Sequence, residues 1–185
     1  MTQMRTIESV PFAGDLAAAL AVPGTDAMRV AEDFFGLADL FKENARLGRA
    51  LTDPARSTAD KRSLAAQAFA SHVTGATMTV IDALVAEHWR RPADVTDALE
   101  VLGILGVLNA AGAKNALDQV REELFQVRYF LAHHREVRVR LSDTSKGNSH
   151  ERGDIATKLF AERVSVWDDA PAAPRRRTIE PRSPP

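Results

Sequence analysis

The chain contains no cysteine, a single tyrosine and only 6% aromatic residues, and its 185 residues carry a net charge of just −1. Without cysteine there is no disulfide framework, no thiolate metal site and no thiol nucleophile, a usage that suits the cytoplasm. A balanced charge gives no overall field to draw the chain toward nucleic acid or anionic lipid. Apolar content is 45%, so with few aromatics the interior has to be built mostly from Ala, Leu and Val. Alanine is the strongest helix former and packs small, which predicts closely packed helices over a β-sandwich. Long apolar runs are missing too. No stretch approaches the roughly 20 apolar residues of a membrane span; the longest, residues 101–113, is interrupted by Gly103, Gly106, Asn109 and Gly112. Nor does a basic segment followed by an apolar run open the chain, as in a secretory signal. Membrane association is therefore expected only through a partner.

Catalytic signatures are equally scarce. There is no glycine-rich phosphate loop ending in Lys-Ser or Lys-Thr, no HExxH or Glu-x-x-His metal motif and no GxSxG elbow. Gly103 and Gly106 match no such motif and are expected to let two helices approach closely. His133 and His134 are the remaining metal candidates. Adjacent helical residues point about 100° apart and neither has a carboxylate four residues on, so both are read as solvated surface histidines. Cofactors and metals are expected to be absent.

What the chain does have is a repeat. Residues 34–73 return as residues 124–164, with Phe35 matching Phe125, Leu51 matching Leu141 and Asp53 matching Asp143. After one extra residue in the second linker, Phe69-Ala70 matches Phe160-Ala161 and Val73 matches Val164. A unit used twice more often presents surfaces than catalyses, so the chain reads as a scaffold.

Helical spacing sets the elements. A first helix is predicted over 7–22, with Pro23-Gly24 as its stop, and a second over 27–51, capped by Thr25 or Asp26 and ended by Asp53-Pro54. Ser57 with Asp60 resembles a capping box opening a third, which Thr74-Gly75 ends. Met78, Ile81, Leu84, Val85 and Trp89 mark a fourth, a fifth runs from Pro92 toward Asn109, and a long second-copy helix covers 114–140. Residues 135–141, REVRVRL, alternate as a half-exposed strand would. Their first-copy counterparts do not, so helix is expected there as well. The last 15 residues hold five of the nine prolines and four arginines, which predicts a disordered tail. Arg175, Arg176 and Arg177 are read as a solubilising end, not a phosphate or lipid site. The expectation is an all-α helical bundle with a duplicated unit: a bundle over 5–113, a second copy over 114–165 and a tail over 166–185.

Several segments resemble the delta subunit of bacterial F-type ATP synthase, whose mitochondrial relative is the oligomycin-sensitivity-conferring protein. They are LGRALTDPAR at 47–56, Lys61-Arg62, Phe69-Ala70-Ser71-His72-Val73 and IDALVAEHWRRPADVTDAL at 81–99. Residues 117–143 resemble the duplicated insertion of the longer actinobacterial members. The resemblance covers roughly residues 5–165 and stops where the tail begins, which implies a form lacking the family's C-terminal domain. It implies a non-catalytic stator of the peripheral stalk at the cytoplasmic face of the cell membrane. The N-terminal bundle would bind N-terminal helices of the α subunits, and the C-terminal domain would grip the b subunits. The family's docking groove lies between the first and fifth helices; by position these are 7–22 and 78–89, the latter becoming fifth if the long helix over 27–51 is really two, which assigns partner binding to Leu16, Leu20, Ile81, Leu84, Val85 and Trp89. Core packing explains the same side chains as well, since both settings favour large apolar residues. The rival class is a helical DNA-binding regulator, for which residues 60–72 offer only Lys61 and Arg62 as basic contacts. A metal-dependent bundle enzyme would need inward carboxylate–histidine clusters, which the sequence does not contain.

Overall fold

The structure of the chain, a computed structural model, describes residues 10–142. The expected disordered tail and the later part of the second copy lie outside the described residues. Within them are eight helices and no strand, so the all-α expectation holds. Helices α1 (Ala13–Leu20), α2 (Ala27–Glu43), α3 (Ala45–Thr52), α4 (Thr58–Phe69), α5 (Gly75–Ala86) and α6 (Pro92–Ala113) precede α7 (Leu117–His133) and α8 (Arg135–Ser142). The chain divides after Asp118 into two compact units.

The helix starts follow side-chain chemistry. Asp26 caps α2, its Oδ1 accepting from the backbone N–H of Met28 at 2.9 Å and of Arg29 at 3.3 Å. Thr25 instead donates its hydroxyl to the Ala19 carbonyl. Ser57 caps α4 by accepting from the Asp60 N–H at 3.1 Å. Thr74 does not end a helix, as its sequence context suggested; α4 stops at Phe69, and Thr74 caps α5 by accepting from the Thr77 N–H. Pro92 opens α6, where its missing N–H costs nothing. Asn115, at φ 54, turns the chain out of α6 beyond Ala113, four residues later than expected. Gly24, at φ 84, makes the turn between α1 and α2.

The long helix expected over 27–51 is two helices, because Asn44 leaves helical geometry at φ −118, ψ 68. Its side-chain amide donates to the Leu40 carbonyl at 3.3 Å, the same carbonyl that its backbone N–H reaches at 2.9 Å. The long second-copy helix breaks in the same way at His134, whose Nδ1–H donates to the Phe130 carbonyl at 3.1 Å. α2 and α7 are both 17 residues long and α3 and α8 both 8, and each second-copy helix starts 90 residues after its counterpart. Residues 135–141, alternating in sequence, are helical in α8.

In the first unit α2 lies against α6, and α5 packs on both α1 and α4. Gly103 and Gly106 set the approach of α6 to α2: a Cβ at Gly103 would fall 2.8 Å from the Phe35 ring, and one at Gly106 2.9 Å from the Ala31 Cβ. The core they close is made of Leu16, Val30, Phe34, Leu37, Leu51, Phe69, Val80, Leu84, Val95, Leu99 and Leu102, all buried. One expectation is corrected here. At 22 residues and a mean hydropathy of 1.4, α6 is long and apolar enough to cross a membrane by length and composition. Its glycines do not interrupt the helix; Gly103 and Gly106 face α2, and Gly112 lies near Leu117. Val95, Leu99 and Leu102 go into the bundle core, as expected of a central core helix.

Candidate docking surface

The six residues assigned to partner binding all lie on, or just beyond, α1 and α5, and these two helices pack directly on each other. Their burial divides them. Leu16, Ile81, Leu84 and Val85 are core residues, each 3% exposed or less. Leu20 and Trp89 are half-buried, packed against that core with one side toward solvent. The Trp89 indole N–H donates to the Leu84 carbonyl at 2.8 Å, which fixes the ring at the C-terminal end of α5. Phe12, at the start of α1, meets that ring with centroids 5.8 Å apart. Because the stretch 27–51 is two helices, the helix carrying Ile81, Leu84 and Val85 is the fifth of the chain. Ala17 on α1 is exposed and Ala83 on α5 half-exposed. Small residues beside a ridge of larger ones leave room for a third helix to lie along the pair.

Sequence reasoning missed the polar tie that holds α5 in place. Asp33, in mid-α2, is buried, and its Oδ2 accepts from the Thr74 N–H at 2.7 Å and from the Thr77 hydroxyl at 2.8 Å. Its other oxygen lies 3.7 Å from Arg29 Nε. An aspartate seven residues into an amphipathic helix reads as solvent-facing; only the Thr74–Thr77 cap brought against it by the fold turns it inward. At the start of α6, Asp94 accepts from the Arg91 N–H and from its guanidinium, the closest contact being 2.6 Å. That hydrogen bond holds the Asp94 carboxyl below its ordinary range and raises the Arg91 guanidinium.

An open groove of about 570 Å³ lies between the α2–α3 junction and the start of α6, lined by Phe41, Gly48, Pro92 and Thr96 with Lys42, Arg49 and Asp97 at its rim. Lys42 already pairs with Glu100 and Asp39. Nothing in it resembles an acid–base pair or nucleophile assembly. Among the described residues no group of three His, Asp or Glu side chains could hold a metal ion. The histidines expected to be solvated have structural contacts: His134 is half-buried and stacks on Phe130 at 4.0 Å, and His133 Nδ1–H donates to the Tyr129 carbonyl. The basic pair on α4 is engaged as well. Lys61 is buried, and Arg62 donates to the Asp82 carbonyl at 3.2 Å, so α4 does not present the cationic face a DNA reader would use.

No family model matches the chain. Curated relatives do. ATP synthase subunit delta of Parafrankia sp. (strain EAN1pec) is 32% identical over 136 residues, which are 74% of this chain and 48% of the relative. ATP synthase subunit delta of Salinispora tropica is 35% identical over 131 residues, 71% of this chain and 47% of the relative. ATP synthase subunit delta of Streptomyces griseus subsp. griseus is 30% identical over 162 residues, 84% of this chain and 59% of the relative. Though it spans about half the length of the curated relatives it matches, the chain belongs to the ATP synthase subunit delta family.

Proposed function

We propose that the chain is a non-catalytic stator subunit of a proton-translocating F-type ATP synthase, held at the cytoplasmic face of the membrane by its place in the complex. Its first unit docks on the catalytic head by receiving an N-terminal helix of an α subunit along α1 and α5. The observation that carries this is the α1–α5 pair, two helices packed on each other: four of the six expected residues are buried in the bundle core, and Leu20 and Trp89 are half-buried against it. The pair is the first and fifth helix, as the family groove requires. A stator must resist torque, and a helix laid along a rigid pair buries a long apolar stripe with little loss of conformational freedom in the host. Leu16, Ile81, Leu84 and Val85 then act as the frame, and Leu20, Trp89, Ala17 and Ala83 as the contact. Gripping of b subunits, which the resemblance places in a C-terminal domain, is no part of this proposal.

The test is calorimetric titration of the chain with a synthetic peptide of the α subunit N-terminus. Leu84→Ala would be a poor probe, since emptying a fully buried leucine site costs about 2–5 kcal/mol and damages the fold itself. Ala83→Arg and Leu20→Glu are better, because both positions reach solvent. Saturable binding by the wild type, lost in both variants while their circular dichroism stays helical, supports the proposal. A folded wild type that binds nothing, or variants that bind as well as wild type, overturns it.

A further inference from the structure

Phe12 is held in a backbone conformation that its side chain makes costly. It lies at φ 63, ψ 8, in the left-handed region. Among the described residues one other non-glycine residue has a positive φ, Asn115, whose short polar side chain tolerates it. A bulky aromatic residue there is a true outlier.

The surrounding backbone shows why the position is left-handed. The Val10 carbonyl accepts from the Ala13 N–H at 3.2 Å, closing a four-residue turn with Pro11 and Phe12 at its centre. Proline fixes its own φ at about −65°, so a positive φ at the next residue makes this a type II turn. That place normally belongs to glycine or asparagine. The Phe12 carbonyl then accepts from the Leu16 N–H at 2.9 Å and starts α1. Glycine would make the same turn and the same hydrogen bonds without strain. What it would not supply is the ring.

The ring goes to Trp89. Their centroids are 5.8 Å apart, with the planes tilted by 30°. The indole N–H is committed to the Leu84 carbonyl at 2.8 Å, which fixes the orientation of Trp89. Both rings are half-buried, packed against the bundle core without being closed into it. Strain kept where an unstrained residue would serve the turn equally well points to a role beyond the fold's own stability.

We infer that Phe12 and Trp89 form an aromatic platform at one end of the α1–α5 pair, on which the docked helix seats a large apolar side chain. This role rests on the docking reading above and adds Phe12 to its contact residues. Leu20 ends α1, seven residues on from Ala13 and about 10 Å along the axis. The partner helix must then carry two apolar anchors about two turns apart, one for Leu20 and one for the platform. Aromatic side chains suit such anchoring, because they offer large, rigid contact area at small cost in side-chain freedom.

The test is titration of the full chain with the α subunit peptide, using Phe12→Gly and Phe12→Ala. The glycine variant removes the ring and relieves the turn; the alanine variant removes the ring and keeps the strain. Thermal midpoints should separate them, with Phe12→Gly within about 4 °C of wild type and Phe12→Ala lower. Binding should not: both should weaken by about tenfold or more, as for an aromatic anchor. Binding that falls in step with the midpoints overturns the inference, because Phe12 would then act through the fold. So does a Phe12→Gly chain that unfolds, since the ring would be holding the bundle together. If wild type binds and Phe12→Gly binds equally well, the platform is lost and the α1–α5 docking reading stands. A folded wild type that binds nothing removes both.

Discussion

Asp33 shows how much one side chain can carry in a bundle built from small residues. Its carboxylate satisfies two donors at the start of α5, and that helix supplies half of the proposed docking pair. Asp33→Ala leaves the Thr74 N–H and the Thr77 hydroxyl without their acceptor, a loss of about 2–4 kcal/mol that urea denaturation would register. Asp33→Asn keeps one acceptor oxygen and should lose less. Asp94 makes a smaller, pH-dependent contribution. Its folded-state pKa is depressed by the hydrogen bond from Arg91. The stabilisation is therefore complete above the ordinary value of 3.8 and fades as the pH falls through the lower folded value. Measured as thermal midpoints, the advantage of wild type over Asp94→Asn should hold at about pH 5 and shrink by about pH 2.

At the scale of elements, the two glycines of α6 look alike in sequence and differ in what they touch. Alanine at Gly106 meets the Ala31 Cβ and Cα and the Ala27 carbonyl, which move only with the backbone of α2. Gly106→Ala should destabilise by about 1–3 kcal/mol despite alanine's better helix propensity. The atoms nearest to an alanine Cβ at Gly103 all belong to the Phe35 ring, which is half-exposed and can swing aside. Gly103→Ala should fall near neutral, the gain of about 1 kcal/mol in propensity offsetting the displaced ring. Paired denaturation curves decide both. The close approach of these helices was legible, because two glycines in an apolar helix have few other uses. The breaks at Asn44 and His134 were not, because apolar spacing continues across them. The docking residues were half legible: helical spacing finds an apolar face, but whether Leu84 points into the core or a groove depends on how α1 lies on α5. Asp33 was not legible, since its partners lie more than 40 residues away.

For the molecule as a whole, the repeat supplies an internal control that few folds offer. Phe34 and Leu124 occupy the same place in the same helix of the duplicated unit, with the same length before and after the break. One is closed in by α6 and the rest of the first core, and the other stands largely in water. Local sequence therefore specifies the helix in both copies, while burial is decided by what is brought against it. Phe34→Ala should cost about 3–5 kcal/mol, because the surrounding side chains only partly fill the space it leaves. Leu124→Ala should change the denaturation midpoint by no more than about 0.5 kcal/mol in the chain alone. Paired denaturation curves of the two variants thus separate a side chain that holds the core from one that stands in water. An equal loss for Phe34→Ala and Leu124→Ala would mean that the second stripe is covered as the first is, and that the duplicated helix serves the same packing role in both copies.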